Sequence, residues 1–101
     1  MQVEDIFQLG CKFSLEGRMD LAIELWKECV RLKPDYSLPY LNLSHAAKGR
    51  NDGQNYRNFL VKFLDCPITG QTVNIVNEVR KDIEDYDKKL AEANKPKDPP
   101  K

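Results

Sequence analysis

The sequence predicts an all-α fold, a helical-hairpin array of five helices made of two antiparallel pairs and a capping helix. Three observations predict it. Apolar residues recur at helical spacing in each long segment, as at Val3, Ile6, Leu9 and Phe13. Strong breakers cut the chain into helix-length pieces at Gly17, Pro34, Gly49 to Gly53, Pro67 and Gly70. The pattern of side-chain sizes also recurs: Tyr40, Leu43 and Ala47 follow Ile6, Leu9 and Phe13 at a constant offset of 34 residues. A fixed period of this size marks supersecondary units that stack on one another.

The first helix is expected over about residues 3 to 16, and Gly17-Arg18 supplies the turn after it. The second is expected over about 19 to 32, with Leu21, Ala22, Ile23, Leu25, Trp26, Cys29, Val30 and Leu32 as its apolar residues. Pro34 ends it, because proline disfavours helical geometry in the residue before it. The third helix begins near Ser37, a suitable N-cap. It holds Pro39 in its first turn, where a missing N–H costs little. The fourth runs over about 54 to 65, with Tyr56, Phe59, Leu60, Phe63 and Leu64 on one side, and Pro67 closes it.

Thr69-Gly70 precedes the fifth helix, expected over about 71 to 92 with an apolar stripe of Val73, Val76, Val79, Ile83, Tyr86 and Leu90. From Val76 onward the spacing alternates between three and four, as in an a/d seam. Ile75 lies beside this stripe. The seam either caps the array or pairs with another chain. Glu84–Lys88 and Asp85–Lys89 are i,i+4 pairs on the exposed side, each worth about 0.2–0.5 kcal/mol. The folded domain is thus expected over residues 1–92. Residues 93–101 carry three prolines and no large apolar side chain, the composition of a disordered tail.

Composition narrows the function. A chain of 101 residues makes about one small domain. With 41% hydrophobic and 32% charged residues it is too apolar for wholesale disorder. Sixteen basic and sixteen acidic residues cancel, so no long-range field draws in a polyanion, and no nucleic acid is expected as a partner. No apolar run approaches the roughly 20 residues that span a bilayer. The acidic start lacks the basic and apolar regions of a signal peptide. No membrane partner and a cytoplasmic location are therefore expected, although Met1 fits an excised domain equally well.

Cys11, Cys29 and Cys66 are odd in number, and no Cys-x-x-Cys or Cys/His cluster is present. They read as free thiols, with no metal site. There is no glycine-rich phosphate loop, nucleophile elbow or paired-histidine helix. Neither enzymatic activity, nor a cofactor, nor a small-molecule substrate is expected.

The run Ile6-x-x-Leu9-Gly10-x-x-Phe13-x-x-x-Gly17-x-x-x-x-Ala22-x-x-x-Trp26-x-x-Cys29-x-x-x-x-Pro34 resembles one complete tetratricopeptide repeat. Gly10 and Ala22 are small where the paired helices would meet, and Ile6, Leu9, Phe13 and Trp26 are large where space needs filling. Cys29 stands in place of the usual alanine and reads as core. A second repeat resembles the family through its first helix, with Ser44 in Gly10's place. Its second helix lacks the expected small residue and fills the space with aromatics. The resemblance implies repeats over about 3–34 and 37–67, and a capping helix over about 71–92.

It also implies a concave face lined by the first helix of each pair. Glu4, Phe7, Cys11 and Ser14 would line it in the first repeat, and Leu38, Leu41, Asn42, His45 and Lys48 in the second. Phe7, Leu38 and Leu41 are expected either to anchor a partner or to be covered by the fifth helix. Asn42 would bond a ligand backbone, with His45 and Lys48 at the rim. Some relatives clamp the C-terminal carboxylate of chaperones on this face. Asn42 falls on one clamp position, but Phe7 and Cys11 replace the clamp's first lysine and asparagine, so that specificity does not carry over. The function expected is a non-catalytic protein-interaction module for a peptide or partner protein. The alternative is a self-associating scaffold, a homo-oligomer joined through the groove or the fifth helix.

Overall fold

The structure, a computed structural model, describes residues 2–94. It contains helices α1 (Val3–Leu15), α2 (Met19–Leu32), α3 (Ser37–Gly49), α4 (Gly53–Asp65) and α5 (Val76–Ala93), and no strand among the described residues. α1 packs on α2 and α3 packs on α4; α2 joins the two hairpins through α3, and α5 lies on α4. The predicted hairpin array is therefore the observed fold.

Both hairpin turns use the same backbone device. Gly17 takes φ 79°, Gly17 N–H donates to Ser14 O at 3.1 Å, and Arg18 N–H donates to Phe13 O at 2.8 Å. Asn51 takes φ 59°, donating to Lys48 O at 3.1 Å, while Asp52 N–H donates to Ala47 O at 2.9 Å. This is the Schellman closure, in which a left-handed residue turns the chain and satisfies the last carbonyls. Glycine adopts that conformation freely, and asparagine is among the few others that do so with ease. Gly17 and Asn51 themselves stand 34 residues apart, so the sequence period is also a structural one. Asp52 then caps α4, accepting from Asn55 N–H at 3.2 Å.

Two clusters form the core. Phe7, Ala22, Ile23, Trp26 and Cys29 gather with Leu43 and Ala46 of α3. Tyr40 and Ala47 of α3 gather with Tyr56, Leu60 and Phe63 of α4 and Val76 and Val79 of α5. α3 is thus buried on two sides, and Val30 and Phe59 pack against both clusters. As the apolar faces predict, Val76, Val79, Ile83 and Tyr86 cover α4. The rings of Tyr86 and Tyr56 meet edge-on at 5.9 Å, and Arg57 grips Asp87 with two hydrogen bonds, of 2.6 and 3.0 Å.

The contact that fixes the first hairpin is Gly10 against Trp26. A Cβ at Gly10 would lie 2.6 Å from Trp26 Nε1 and 2.9 Å from Cδ1. The indole is 3% exposed, and its N–H donates to Phe7 O at 3.4 Å.

Several expectations need correction. α5 begins at Val76 rather than 71 and ends at Ala93 rather than 92. Residues 70 to 75 form turns, because Thr72 Oγ1 accepts from Thr69 N–H at 2.9 Å and holds the backbone in a competing local arrangement. Val73 is consequently 53% exposed, and Leu90, beyond the cover of α4, is 45% exposed. Ser37 is the first residue of α3 and buried, not its cap; Tyr36 occupies the cap position without a side-chain bond. Neither Glu84–Lys88 nor Asp85–Lys89 is among the ion pairs of the described residues, which are Arg31–Glu28, Arg50–Asp20 and Arg57–Asp87. Of the expected tail, Ala93 ends α5 and Asn94 follows it; residues 95–101 lie outside the described residues.

Gly10→Ala should cost about 1–3 kcal/mol through overpacking against the indole. Trp26→Ala should cost about 3–5 kcal/mol. Gly49→Ala, where an added Cβ meets nothing within 4 Å, should shift stability by less than about 0.5 kcal/mol. Urea unfolding of the three variants checks this ordering, and equal midpoints would contradict it.

Candidate functional site

The C-terminal half of α1 and the facing side of α3 enclose a groove of about 550 Å³. Cys11 and Ser14 stand one turn apart on α1, and Asn42 and His45 one turn apart on α3; all four line it. Buried Trp26 and Ala46 form its floor. Leu15, Met19, Gly49 and Arg50 complete its border. The small side chains at Ala46 and Gly49 keep the space open. The floor is apolar, while the walls carry a hydroxyl, an amide and an imidazole, groups that donate and accept hydrogen bonds.

Asn42 Nδ2 donates to Cys11 Sγ at 3.6 Å across the gap between α1 and α3. A thiol is a weak acceptor, so this bond orients the amide without saturating it. Arg50 is tied to Asp20 at the start of α2, which fixes one end of the groove. Trp26 therefore serves two surfaces at once: one holds α1 through Gly10, and another lies under the groove.

The expected concave-face residues divide into three groups. Cys11, Asn42 and His45 come together in the groove, with Ser14. Phe7 is not an exposed anchor: it is 8% exposed, belongs to the first core cluster and meets the Tyr36 ring edge-on at 5.6 Å. Leu38 is half-buried against the same cluster. Together they border a second depression of about 470 Å³, with Glu4, Gln8, Tyr36 and Gln71. Leu41 and Lys48 are two turns apart on α3 and share a side of it that faces away from the groove. Leu41 packs against the second core cluster, and the Lys48 ammonium sits over the Tyr56 ring, 5.6 Å from its centroid.

The burial of Phe7 has a simple cause. Its carbonyl is the acceptor for Trp26, so that turn of α1 is drawn onto α2 and onto the chain entering α3. Sequence reasoning missed Ala46, Gly49 and Arg50 as groove residues. Their signal was present: a small residue one turn after Asn42, and another one turn after His45.

The thiols differ sharply in environment. Cys29 is fully buried, with Sγ 3.5 Å from Val3 O, and burial pushes its thiol from an ordinary 9.0 up to about 11. Burial also raises the Cys66 thiol, whose Sγ lies 3.3 Å from Lys62 O. Cys11 alone is half-exposed. No described helix is long and apolar enough to cross a membrane. Among the described residues no group of three or more histidine, cysteine, aspartate or glutamate side chains is placed to hold a metal ion.

Compared with models of known families, with curated proteins and with solved structures, the chain matches none.

Iodoacetamide should alkylate Cys11 well ahead of Cys29 and Cys66 in the folded chain, because thiolate formation and access both disfavour the buried pair. Mass spectrometry of a time course reads this directly. Equal rates at all three would contradict the placement of α1.

Proposed function

We propose that the chain is a non-catalytic protein-interaction module on the tetratricopeptide plan, and that the groove between α1 and α3 takes an extended or helical peptide. The observation that carries this reading is the make-up of the groove. An apolar floor with a few convergent polar groups, on a rigid helical frame, is the usual composition of a binding site. Kinship with the family is supported by the matched turns at Gly17 and Asn51 and by the seat of Trp26 on Gly10.

An apolar ligand side chain would rest on Trp26 and Ala46, a contact worth about 1.5–3 kcal/mol when fully buried. Asn42 would hydrogen-bond the ligand backbone, and His45 and Ser14 would select among polar groups beside it. Phe7 and Leu41, engaged within the fold, take no part. Lys48 is directed to Tyr56 and Arg50 to Asp20, so among the described residues no free cation points into the groove to clamp a carboxylate. Affinity should accordingly depend weakly on salt.

The test uses peptides selected against the folded chain from a display library and titrated against variants. Asn42→Ala should weaken binding about 5- to 10-fold, the worth of one hydrogen bond. Ser14→Trp should fill the groove and abolish binding while melting stays near that of the parent. Unchanged affinity in both variants would show that the ligand binds elsewhere.

A further inference from the structure

The two ends of the helical array are finished differently. At the C-terminal end α5 lays its apolar stripe on α4. It presents Arg80, Lys81, Glu84, Asp85 and Lys88, all exposed, away from the core. Among the described residues the N-terminal end has no such cover. On α2, Ile23 and Val30 face the core toward α3, and Leu21, Leu25 and Leu32 lie about half a turn around the helix from them. Leu21 is 43% exposed and Leu32 51% exposed, and Leu25 is half-buried outside both core clusters. On α1, Ile6, Leu9 and Phe13 share one face by helical spacing, each half-buried; Ile6 and Phe13 pack against the first core cluster, and Leu9 belongs to neither cluster. The Arg18 guanidinium lies over the outer part of this face, 5.3 Å from the Phe13 ring centroid. Leu9, Leu21, Leu25 and Leu32, none of them part of a core cluster, thus share one end of the molecule, where scattered single residues would need no explanation.

We infer that this end face of α1 and α2 pairs with the same face of a second copy of the chain, across a two-fold axis. Three observations favour this occupant. The charges that border the leucine stripe are ordered along α2: Asp20 and Glu24 precede its midpoint, and Lys27 and Arg31 follow it, all exposed. Two copies of α2 packed antiparallel bring Glu24 of each beside Lys27 of the other, while Asp20 and Arg31 keep their partners Arg50 and Glu28 within the chain. An interface that repeats each contact twice requires this self-complementarity. Glu28, which lies on the stripe itself, is already answered by Arg31, whose Nη2 donates to it at 2.9 Å. Secondly, a formal net charge of zero leaves no repulsion between copies. Thirdly, the segment from Lys95 to Lys101 has no large apolar side chain with which to cover such a face. The groove opens on the α3 side of α1, so pairing at this end leaves it free.

Sedimentation velocity of the full chain from about 1 to about 100 µM should show the mass doubling, as expected for an interface of modest affinity. Leu21→Ser with Leu32→Ser should weaken association at least about tenfold without loss of helicity, since both side chains are half-exposed in the single chain. Glu24→Lys and Lys27→Glu should each remove self-association. An equal mixture of these two variants should recover it, because each then presents the opposite charge to the other. Asn42→Ala should leave the dimer unchanged. A chain that stays single throughout this range overturns the inference. So does a dimer indifferent to Leu21 and Leu32, one lost instead with Leu90→Ser, or a mixture that fails to associate.

Discussion

The seat of Trp26 on Gly10 is the contact on which the rest of this structure depends. An indole is the largest side chain a helix pair can enclose, and here it is enclosed only because α1 has no Cβ at the point of closest approach. A Cβ at Gly10 would overlap the van der Waals surface of the ring nitrogen. The hydrogen bond from that nitrogen to the Phe7 carbonyl sets the position of α1 along α2. Phe7 is then held against Tyr36, the residue that leads into α3. The orientation of the first hairpin and the start of the second thus follow from one packed ring.

The same ring ties stability to the candidate site. Its one surface is buried against α1, and another lies beneath Cys11, Ser14, Asn42 and His45. A ligand resting there would touch a side chain that cannot yield without opening the hairpin. Such a floor is pre-organised, and binding to it costs little ordering. α3 completes the arrangement by facing three ways. Leu43 and Ala46 go to the first cluster, Tyr40 and Ala47 to the second, and Asn42 and His45 to the groove. α3 therefore buries apolar residues on more than one face.

How much was legible beforehand follows from the kind of signal involved. Helix limits for α2 and α4 were clear because glycine, proline and the apolar period agree there. The cover of α4 by Val76, Val79, Ile83 and Tyr86 was legible because both faces are strongly apolar and near in sequence. The start of α5 was not, since the Thr69–Thr72 bonds are a local competitor that apolar spacing does not reveal. In the site, Cys11, Asn42 and His45 were placed on one face by the resemblance to the tetratricopeptide pattern, and the structure brings them to one groove. Which of Phe7 and Leu41 would be engaged within the fold was not legible, because their burial depends on neighbours distant in sequence: the Trp26 hydrogen bond for one and the second core cluster for the other. Ala46 and Gly49 were overlooked because a groove is made as much by what is small as by what is functional.

Trp26 is the sole tryptophan of the chain, so its fluorescence reports on this contact alone. The account predicts a blue-shifted emission that resists acrylamide quenching in the folded chain. The emission should move to the red only with cooperative loss of the helical circular dichroism. An indole that is quenched as freely as one in water, while the helical signal stays intact, would contradict the account at its centre.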